Sequence, residues 1–465
     1  MLLDWSAQAI ATALIDSVRV DAKNMLIDSF PHPPSDRPVL VGYSGGLDST
    51  VLLHWLARSN HQRSFGLTAI HVNHGLHPDA DLWADHCRAI CIRFNIPLHI
   101  ARVRVSRQHG GGIEDAARHA RRAAFAQRLD TGHLLALAHH LDDQAETWLL
   151  RALRGSGADG LAAMRPLVAF GSGDLWRPFL STPRTQLRLY AQTHGLNWID
   201  DPSNQDTQLD RNYIRLCILP ALAQRWPQAA QQFGRCAQLC ADATDLLTRE
   251  DDAILARMCP TPQTLNLADW SGYPSARRAR LLRRWCVVAQ APPLPAQGVA
   301  TIEREVLRAP PDRQACFRWQ HIEIRCWRQT LYLRRSNQTP WPHQHPPIQW
   351  DGTAPLALPS GGRLDLLAAT GTPRQGFPTT LTVRPRVGGE RIQLAKRQHT
   401  HALKQLLQAA NIPPWHRQAL PLLYHRQTLW AAGDVFISAP LASWLDQTNQ
   451  QLKWVAADAL SFISM

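Results

Sequence analysis

Apolar residues follow two alternating rhythms through the first third of this chain. Val39-Leu40-Val41, Leu67 to Val72, Pro97 to Val105 and Leu134 to Ala138 are short, mostly unbroken apolar runs, as expected of strands buried on both faces. Between them the apolar spacing changes to three and four, predicting helices over Thr50–Trp55, Trp83–Asn95, Glu114–Asp130 and Asp142–Leu153. Strands alternating with helices predict a doubly wound α/β domain with a parallel sheet. Leu2–Phe30 reads as a further amphipathic helix and Gly110-Gly111-Gly112 as a flexible break.

The rhythm then turns mainly helical. Gln186–His194, Arg211–Leu222 and the long stretch Gln228–Met258 read as helices, with a polar turn at Trp198–Asn204. One Arg-rich helix, Ala276–Val288, precedes strands around Cys316–Arg318, Ile322–Trp327 and Leu331–Leu333. Gln338–Pro347 is a linker by composition. Beyond it come short strands, turns and one helix, Thr400–Ala410. The expected domains are therefore residues 1–225, 226–337 and 348–465.

Polar clusters sit at the carboxyl ends of the predicted strands, where ligands bind in doubly wound sheets. Ser44-Gly45-Gly46-Leu47-Asp48-Ser49 lies between the first strand and its helix. Such a turn offers backbone N–H groups at a helix N-terminus, a place for phosphate. Gly45 and Gly46 permit close approach, and Ser44 and Ser49 add hydroxyls. The loop has no Walker lysine and is not GxGxxG. Asp48 would repel a bare phosphate, so either Mg²⁺ lies between them or the acid takes part in the chemistry. At the end of the second strand, His71 and Asn73 can hydrogen-bond ribose or base.

His139-His140-Leu141-Asp142-Asp143-Gln144-Ala145-Glu146 follows the fourth strand. Three carboxylates and two imidazoles in eight residues are costly to bury without a task. They could ligate a divalent ion or line a cationic substrate, and spacing leaves both open. Helical geometry would set Asp142 and Glu146 on one face and turn Asp143 away. Arg118 with Arg121, and Arg211-Asn212 with Arg215, place cations on shared helix faces that could meet phosphates or RNA.

Composition sharpens the choice of partner. The net charge of +13 points to a polyanion, nucleic acid first. Thirteen Arg and no Lys against four acids lie between Ser271 and Arg335, so about +9 of that charge is concentrated there. No apolar stretch is long enough to span a bilayer, and the first thirty residues do not read as a signal peptide, so a cytoplasmic enzyme is expected. The nine Cys include no CxxC; Cys87/Cys91 and Cys236/Cys240 read as thiols, buried or half-buried.

SGGLDS, HVNHGL, EDAARHAR, AHHLDDQAET, RGSG, RPF, WIDDPSN and RNYIR occur in the order seen in tRNA(Ile)-lysidine synthetases, a family of PP-loop ATP pyrophosphatases. The resemblance is strong over Pro38–Leu216. It extends to the C-terminal region through Val383-Arg384-Pro385-Arg386, Gly389-Glu390-Arg391 and Ile412-Pro413-Pro414-Trp415. Arg122 departs from it, standing where the family often has Tyr.

The resemblance implies a PP-loop (adenine nucleotide alpha-hydrolase-like) N-terminal domain, a helical Arg-rich middle domain and a small α+β C-terminal domain. It implies ATP-dependent ligation of free L-lysine to C2 of the wobble cytidine in a CAU-anticodon isoleucine tRNA, with Mg²⁺ screening phosphates and a homodimer as the assembly. Under it, Ser44–Ser49, His71 and Asn73 hold ATP, and Asp48 holds the metal. Asp48, Arg118, His139 and Asp143 serve catalysis, with His139 or His140 as a base near its working pKa. Asp142, Asp143, Glu146, Arg121, Arg211, Asn212 and Arg215 bind the substrates, Asp143 being the favoured partner of lysine. A base thiolase of the same superfamily would want paired reactive Cys near the loop, which the sequence lacks. A non-catalytic RNA-binding protein would have no use for Asp48 or the HHLDD cluster.

Overall fold

In the computed structural model the described residues are 30–63, 65–105, 112–310, 315–335, 341, 345–368, 375–395 and 399–456. The expected helix at Leu2–Phe30 lies outside them except for Phe30, as does most of the linker at Gln338–Pro347. The chain forms two compact units, 1–247 and 248–464.

The first unit is built on a six-stranded sheet. Its strands are β1 (Val39–Gly42), β2 (Leu67–Asn73), β3 (Leu98–Arg102), β4 (Leu134–Ala136), β5 (Leu167–Phe170) and β6 (Gly173–Trp176), in the order β3-β2-β1-β4-β6-β5. All neighbours pair in parallel except β5, which returns antiparallel on β6. Val39 pairs with both Leu67 and Leu134, so β1 is where the strand order reverses. The crevice beyond its carboxyl end is the expected ligand position.

Helices cover both faces, and the period-two alternation of β1 divides the core between them. Val39 and Val41 pack under α1 (Leu47–Arg63) with Leu52, Leu56, Leu187 and Tyr190. Leu40 faces the other way, onto Phe125 and Leu129 of α2 (Gly112–Arg128) with Leu135 and Leu175. Leu141–Leu153 and Arg184–Thr193 are helical, close to expectation. Arg211–Leu222 is also helical, but Ile214–Ile218 forms a π-helical turn between Asp210–Tyr213 and Leu219–Arg225. The hairpin β5–β6 was not foreseen, because its short runs are interrupted by Gly171 and Gly173.

The second unit contains the Arg-rich helix Ser275–Val288. It also holds a four-stranded antiparallel sheet that includes the unforeseen strand Thr264–Asn266. Its remaining sheets have seven and three strands, with the helix at Leu403–Ala409, shorter than expected because His401–Ala402 pairs with Arg391–Ile392. Among the described residues, no helix is long and apolar enough to cross a membrane.

Candidate active site

A cavity of about 850 Å³ opens beyond the carboxyl ends of β1, β2, β4 and β6. The loop after β1 forms part of its wall. Gly45 takes φ +86°, and an added Cβ would lie 2.7 Å from Ile199 Cδ1 and 3.0 Å from Cys87 Sγ, so only glycine fits. Ile199 N–H donates to Gly45 O at 2.9 Å, fastening the WIDD segment behind the loop. Ser49 Oγ donates to Gly46 O at 3.0 Å and lies 3.0 Å from Ser44 Oγ. These contacts hold the loop in shape, while the first amides of α1 have no partner within the helix. Ser44, Gly46, Leu47, Asp48 and Ser49 line the cavity, whereas Gly45 lies behind it.

On the β2 side, His71 is buried and its Nδ1 lies 3.0 Å from Tyr43 O. Since a carbonyl can only accept, Nδ1 carries the proton and Nε2 is left as an acceptor. Burial holds the His71 pKa below its ordinary value, so the ring is neutral. Asn73 also lines the cavity, but its side chain is committed elsewhere. Nδ2 donates to Asp81 Oδ1 at 2.8 Å and to Ala80 O at 3.3 Å, and Oδ1 accepts Gly75 N–H at 2.9 Å. Asn73 therefore shapes the turn.

The carboxylates after β4 do not arrange themselves as helical spacing alone suggested. Asp143 and Glu146, not Asp142 and Glu146, act together, because two arginines from Asp210–Ile218 reach across to both. Arg211 Nε donates to Glu146 Oε2 at 2.7 Å, and its Nη2 to Asp143 Oδ1 at 3.1 Å. Arg215 Nε donates to Glu146 Oε1 at 2.6 Å, and its Nη2 to Asp143 Oδ1 at 3.3 Å. The Glu146 side chain has 0% exposure, Asp143 12%, Asp48 25% and Asp142 40%. Asp142 turns the other way, accepting Arg184 N–H at 2.9 Å, while Arg184 Nε reaches Asp48 Oδ1 at 3.4 Å. Asn212 donates to Ser203 O and Asp206 O, pinning the polar turn, and does not line the cavity.

His140 joins three acids. Its Nε2 is 3.7 Å from Asp48 Oδ2 and 3.4 Å from Asp143 Oδ2, and its Nδ1 is 3.5 Å from Asp142 Oδ2. Burial lowers its pKa, but Asp143, Asp142 and Asp48 outweigh burial and push it up to about 10. Nδ1 also lies 3.4 Å from the Asp143 amide, as if accepting from it. The three carboxylates decide in favour of the protonated ring. Its neighbour His139 goes the opposite way. Burial, helped by Arg177, Arg211 and Arg121 against Asp143, brings it down to about 3, and its buried Nδ1 has no partner. Neither imidazole is near neutrality, which corrects the expectation of a base close to its working pKa.

Ten arginines line the cavity, and only four of them carried an expected site role, although Arg154 and Arg177 belong to the RGSG and RPF runs. Arg118, Arg121, Arg211 and Arg215 line the cavity as expected, but so do Arg122, Arg151, Arg154, Arg165, Arg177 and Arg184. Arg177, in the RPF run after β6, is buried, and its pKa falls to about 10 through burial and through Arg122, Arg118 and Arg151. A cavity walled largely by arginines, with the carboxylates of Asp48 and Asp143 at the HHLDD end and Asp200 and Asp201 at the WIDD segment, has the charges to take polyphosphate together with a small cation. Asp48 supplies one partly exposed carboxylate. That fits Mg²⁺, which is commonly held by one or two carboxylates together with substrate phosphates. Among the described residues no group of three or more His, Cys, Asp or Glu could hold a metal ion by itself.

The sheet, its loop after β1 and this cavity define a PP-loop ATP-using enzyme, and a family profile described as "PP-loop domain" matches residues 19–222. Profiles described as "TilS substrate binding domain" and "TilS substrate C-terminal domain" match 265–332 and 381–454. The chain is 54% identical over 426 residues to "tRNA(Ile)-lysidine synthase" of Xylella fastidiosa strain Temecula1, covering 91% of this chain and 97% of that one. The protein of the same name from Xanthomonas campestris pv. campestris strain 8004 is 54% identical over 425 residues (91% and 96%), and that from Salmonella typhi 39% over 431 (91% and 97%). This chain belongs to the tRNA(Ile)-lysidine synthase family, tRNA-modifying ligases that form a carbon–nitrogen bond.

In the second unit the Arg-rich helix pairs its arginines with nearby acids. Arg277 pairs with Glu250 and Asp251, Arg280 with Asp251, Arg278 with Glu303 and Arg284 with Asp252. Glu250, Asp251 and Asp252, which lie outside the Arg-rich stretch, thus offset part of its positive charge. All nine Cys are free; Cys87, Cys91 and Cys286 are buried, and Cys217 and Cys236 are exposed.

Proposed function

We propose that this protein ligates free L-lysine to C2 of the wobble cytidine of a CAU-anticodon isoleucine tRNA through an adenylated tRNA. The observation that carries the reading is one cavity joining the loop after β1, a wall of arginines and the carboxylates of Asp48 and Asp143. The cytosine O2 attacks the α-phosphorus of ATP and pyrophosphate leaves. The lysine ε-amine then attacks C2, and the oxygen departs with AMP.

In this scheme Ser44–Ser49 cradle the triphosphate and His71 Nε2 accepts from the nucleoside, in a turn shaped by Asn73. Asp48 would hold Mg²⁺, which would neutralise phosphate charge during displacement. Arg118 and Arg121 offset charge that develops on the leaving pyrophosphate. The lysine ammonium needs a carboxylate that faces the cavity. Asp143, the most cavity-facing acid of its helix, pairs with it and Asp142 stands alongside. Glu146, Arg211 and Arg215 hold Asp143 in place, and Asn212 anchors the turn beneath them. His139, kept neutral by burial, lines the cavity beside them.

Residues 226–337 and 348–465 are assigned to tRNA binding, and the enzyme works in the cytoplasm. The test uses purified full-length protein with ATP and Mg²⁺. Pyrophosphate should form with tRNA alone, and AMP only with tRNA and lysine together. AMP release that ignores lysine would overturn the reading.

A further inference from the structure

The cavity continues past the loop toward β6 and β5, where the scheme above places nothing. The strand order makes this a distinct end. His71 lies on the β2 side of β1, whereas Arg177 and the β5–β6 hairpin lie on the β4 side. Phe125, Val168 and Phe170 line this end together with Arg122, Arg151 and Arg177. Arg122 carries its guanidinium 4.9 Å over the Phe170 ring. Arg151 is tied down by Gly160 O at 2.7 Å and Ala163 O at 2.9 Å, and Arg177 Nη1 by Arg165 O at 2.7 Å.

Arg177 is buried and its Nε has no partner. Among the described residues no carboxylate pairs with Arg122, Arg151 or Arg177. A buried cation such as Arg177, with half-buried Arg151 and exposed Arg122 beside it, is costly without counter-charge unless an anion arrives. A phosphate alone would satisfy the arginines but would gain nothing from the apolar wall. An unstacked nucleotide satisfies both, since bases stack on aromatic rings and on guanidinium planes while their phosphates take the charge.

We propose that this lobe, walled by Phe125, Val168 and Phe170 and lined by Arg122, Arg151 and Arg177, seats the RNA nucleotide that is adenylated. Its base lies against the apolar wall and its flanking phosphates lie on the arginines. The assignment rests on the functional reading above and adds where the acceptor base enters. It puts ATP and RNA on opposite sides of the loop, with the two reacting centres meeting over Asp48.

The test uses the full-length chain and an isoleucine tRNA carrying 5-iodocytidine at the wobble position. Irradiation should cross-link the base to the peptide holding Phe170 or to that holding Phe125. Independently, Arg122→Gln and Phe170→Leu should each raise the tRNA KM about tenfold and leave the ATP KM within about twofold. A cross-link elsewhere overturns the proposal. So does a raised ATP KM with unchanged tRNA KM, which would give the lobe to the triphosphate. The cross-link on unmutated protein decides the matter if a variant fails to fold. Wild-type protein without lysine-dependent AMP release would sink the reaction scheme, while the cross-link would still report whether the wobble nucleotide occupies this lobe.

Discussion

Arg215 Nε meets Glu146 Oε1 at 2.6 Å, and the Glu146 side chain is fully buried. With Arg211 on its other oxygen, this carboxylate ties Leu141–Leu153 to the segment carrying Arg211 and Arg215. Removing one member of a buried charge set strands the others in a poor dielectric, at a cost of about 3–5 kcal/mol. Glu146→Ala should lose about that much in a urea titration and impair adenylation and lysine transfer together. Wild-type stability with only the lysine KM raised would make Glu146 a substrate contact instead.

Asp48 is only partly buried and touches His140 and Arg184, so its charge can change without opening a core. Asp48→Asn should keep the fold, judged by circular dichroism and urea midpoint, and abolish pyrophosphate release. Near wild-type turnover in the variant would remove Asp48 from the metal position.

The loop, the HHLDD turn and the sheet were legible because each is coded by neighbouring residues. An apolar run followed by a polar cluster declares a strand and its carboxyl end. What was not legible depends on residues far apart in the chain. Glu146 and Arg215 are 69 positions apart, and nothing in either helix announces the other. Arg184 follows β6 with nothing in the sequence to mark it, and the RPF run marks Arg177 without giving its role; the place of both in the site comes from the topology. Asn73 looked like a ligand because its competing partners, Ala80 and Asp81, become neighbours only when the turn closes. The acids that pair with the Arg-rich helix lie mostly on a different helix, at Glu250, Asp251 and Asp252, and nothing in its own stretch announces them.

The two adjacent histidines should impose opposite pH limits on stability. His140 is raised from 6.5 to about 10. Its stabilisation is complete below pH 6.5 and is lost as pH climbs through about 10. His139 is lowered from 6.5 to about 3. Folding excludes its proton, so stability falls as pH drops below 6.5 toward 3. Urea midpoints at several pH values should therefore peak near neutrality. His140→Gln should flatten the alkaline limb, and His139→Gln the acidic one; slopes unchanged by either would put the titration elsewhere.

Arg277 and Arg280 share Asp251, whose side chain is 1% exposed. Arg277→Ala with Arg280→Ala should destabilise the protein by about 3–5 kcal/mol by stranding that acid. Each lost phosphate contact would flatten the salt dependence of tRNA binding by about 0.7–0.9 in log Kd per log salt. The double variant should change that slope by less, because these charges are already neutralised. A drop of a full contact or more would show that both arginines leave Asp251 for RNA.

The last prediction separates the two half-reactions. Asp143 lines the cavity while its backbone begins the helix, and its carboxylate accepts His140 N–H at 3.0 Å. His140, Arg211 and His139 hold its pKa well below the carboxylate range against the opposing effect of burial, so it carries full charge near neutral pH. Lysine brings an ammonium, and only the neutral amine can attack C2. Holding the cation needs Asp143; forming the tRNA adenylate does not. Asp143→Asn keeps the shape but loses the charge, so it should raise the lysine KM by about tenfold or more, equivalent to about 1.4 kcal/mol. Transfer of α-³²P from ATP to tRNA without lysine should stay near wild type. Asp142→Asn, at the more exposed neighbour, should change the lysine KM less. If Asp143→Asn stops α-³²P transfer as well, Asp143 belongs with Glu146 as a support of the site, and lysine binds at Asp142 or Asp48.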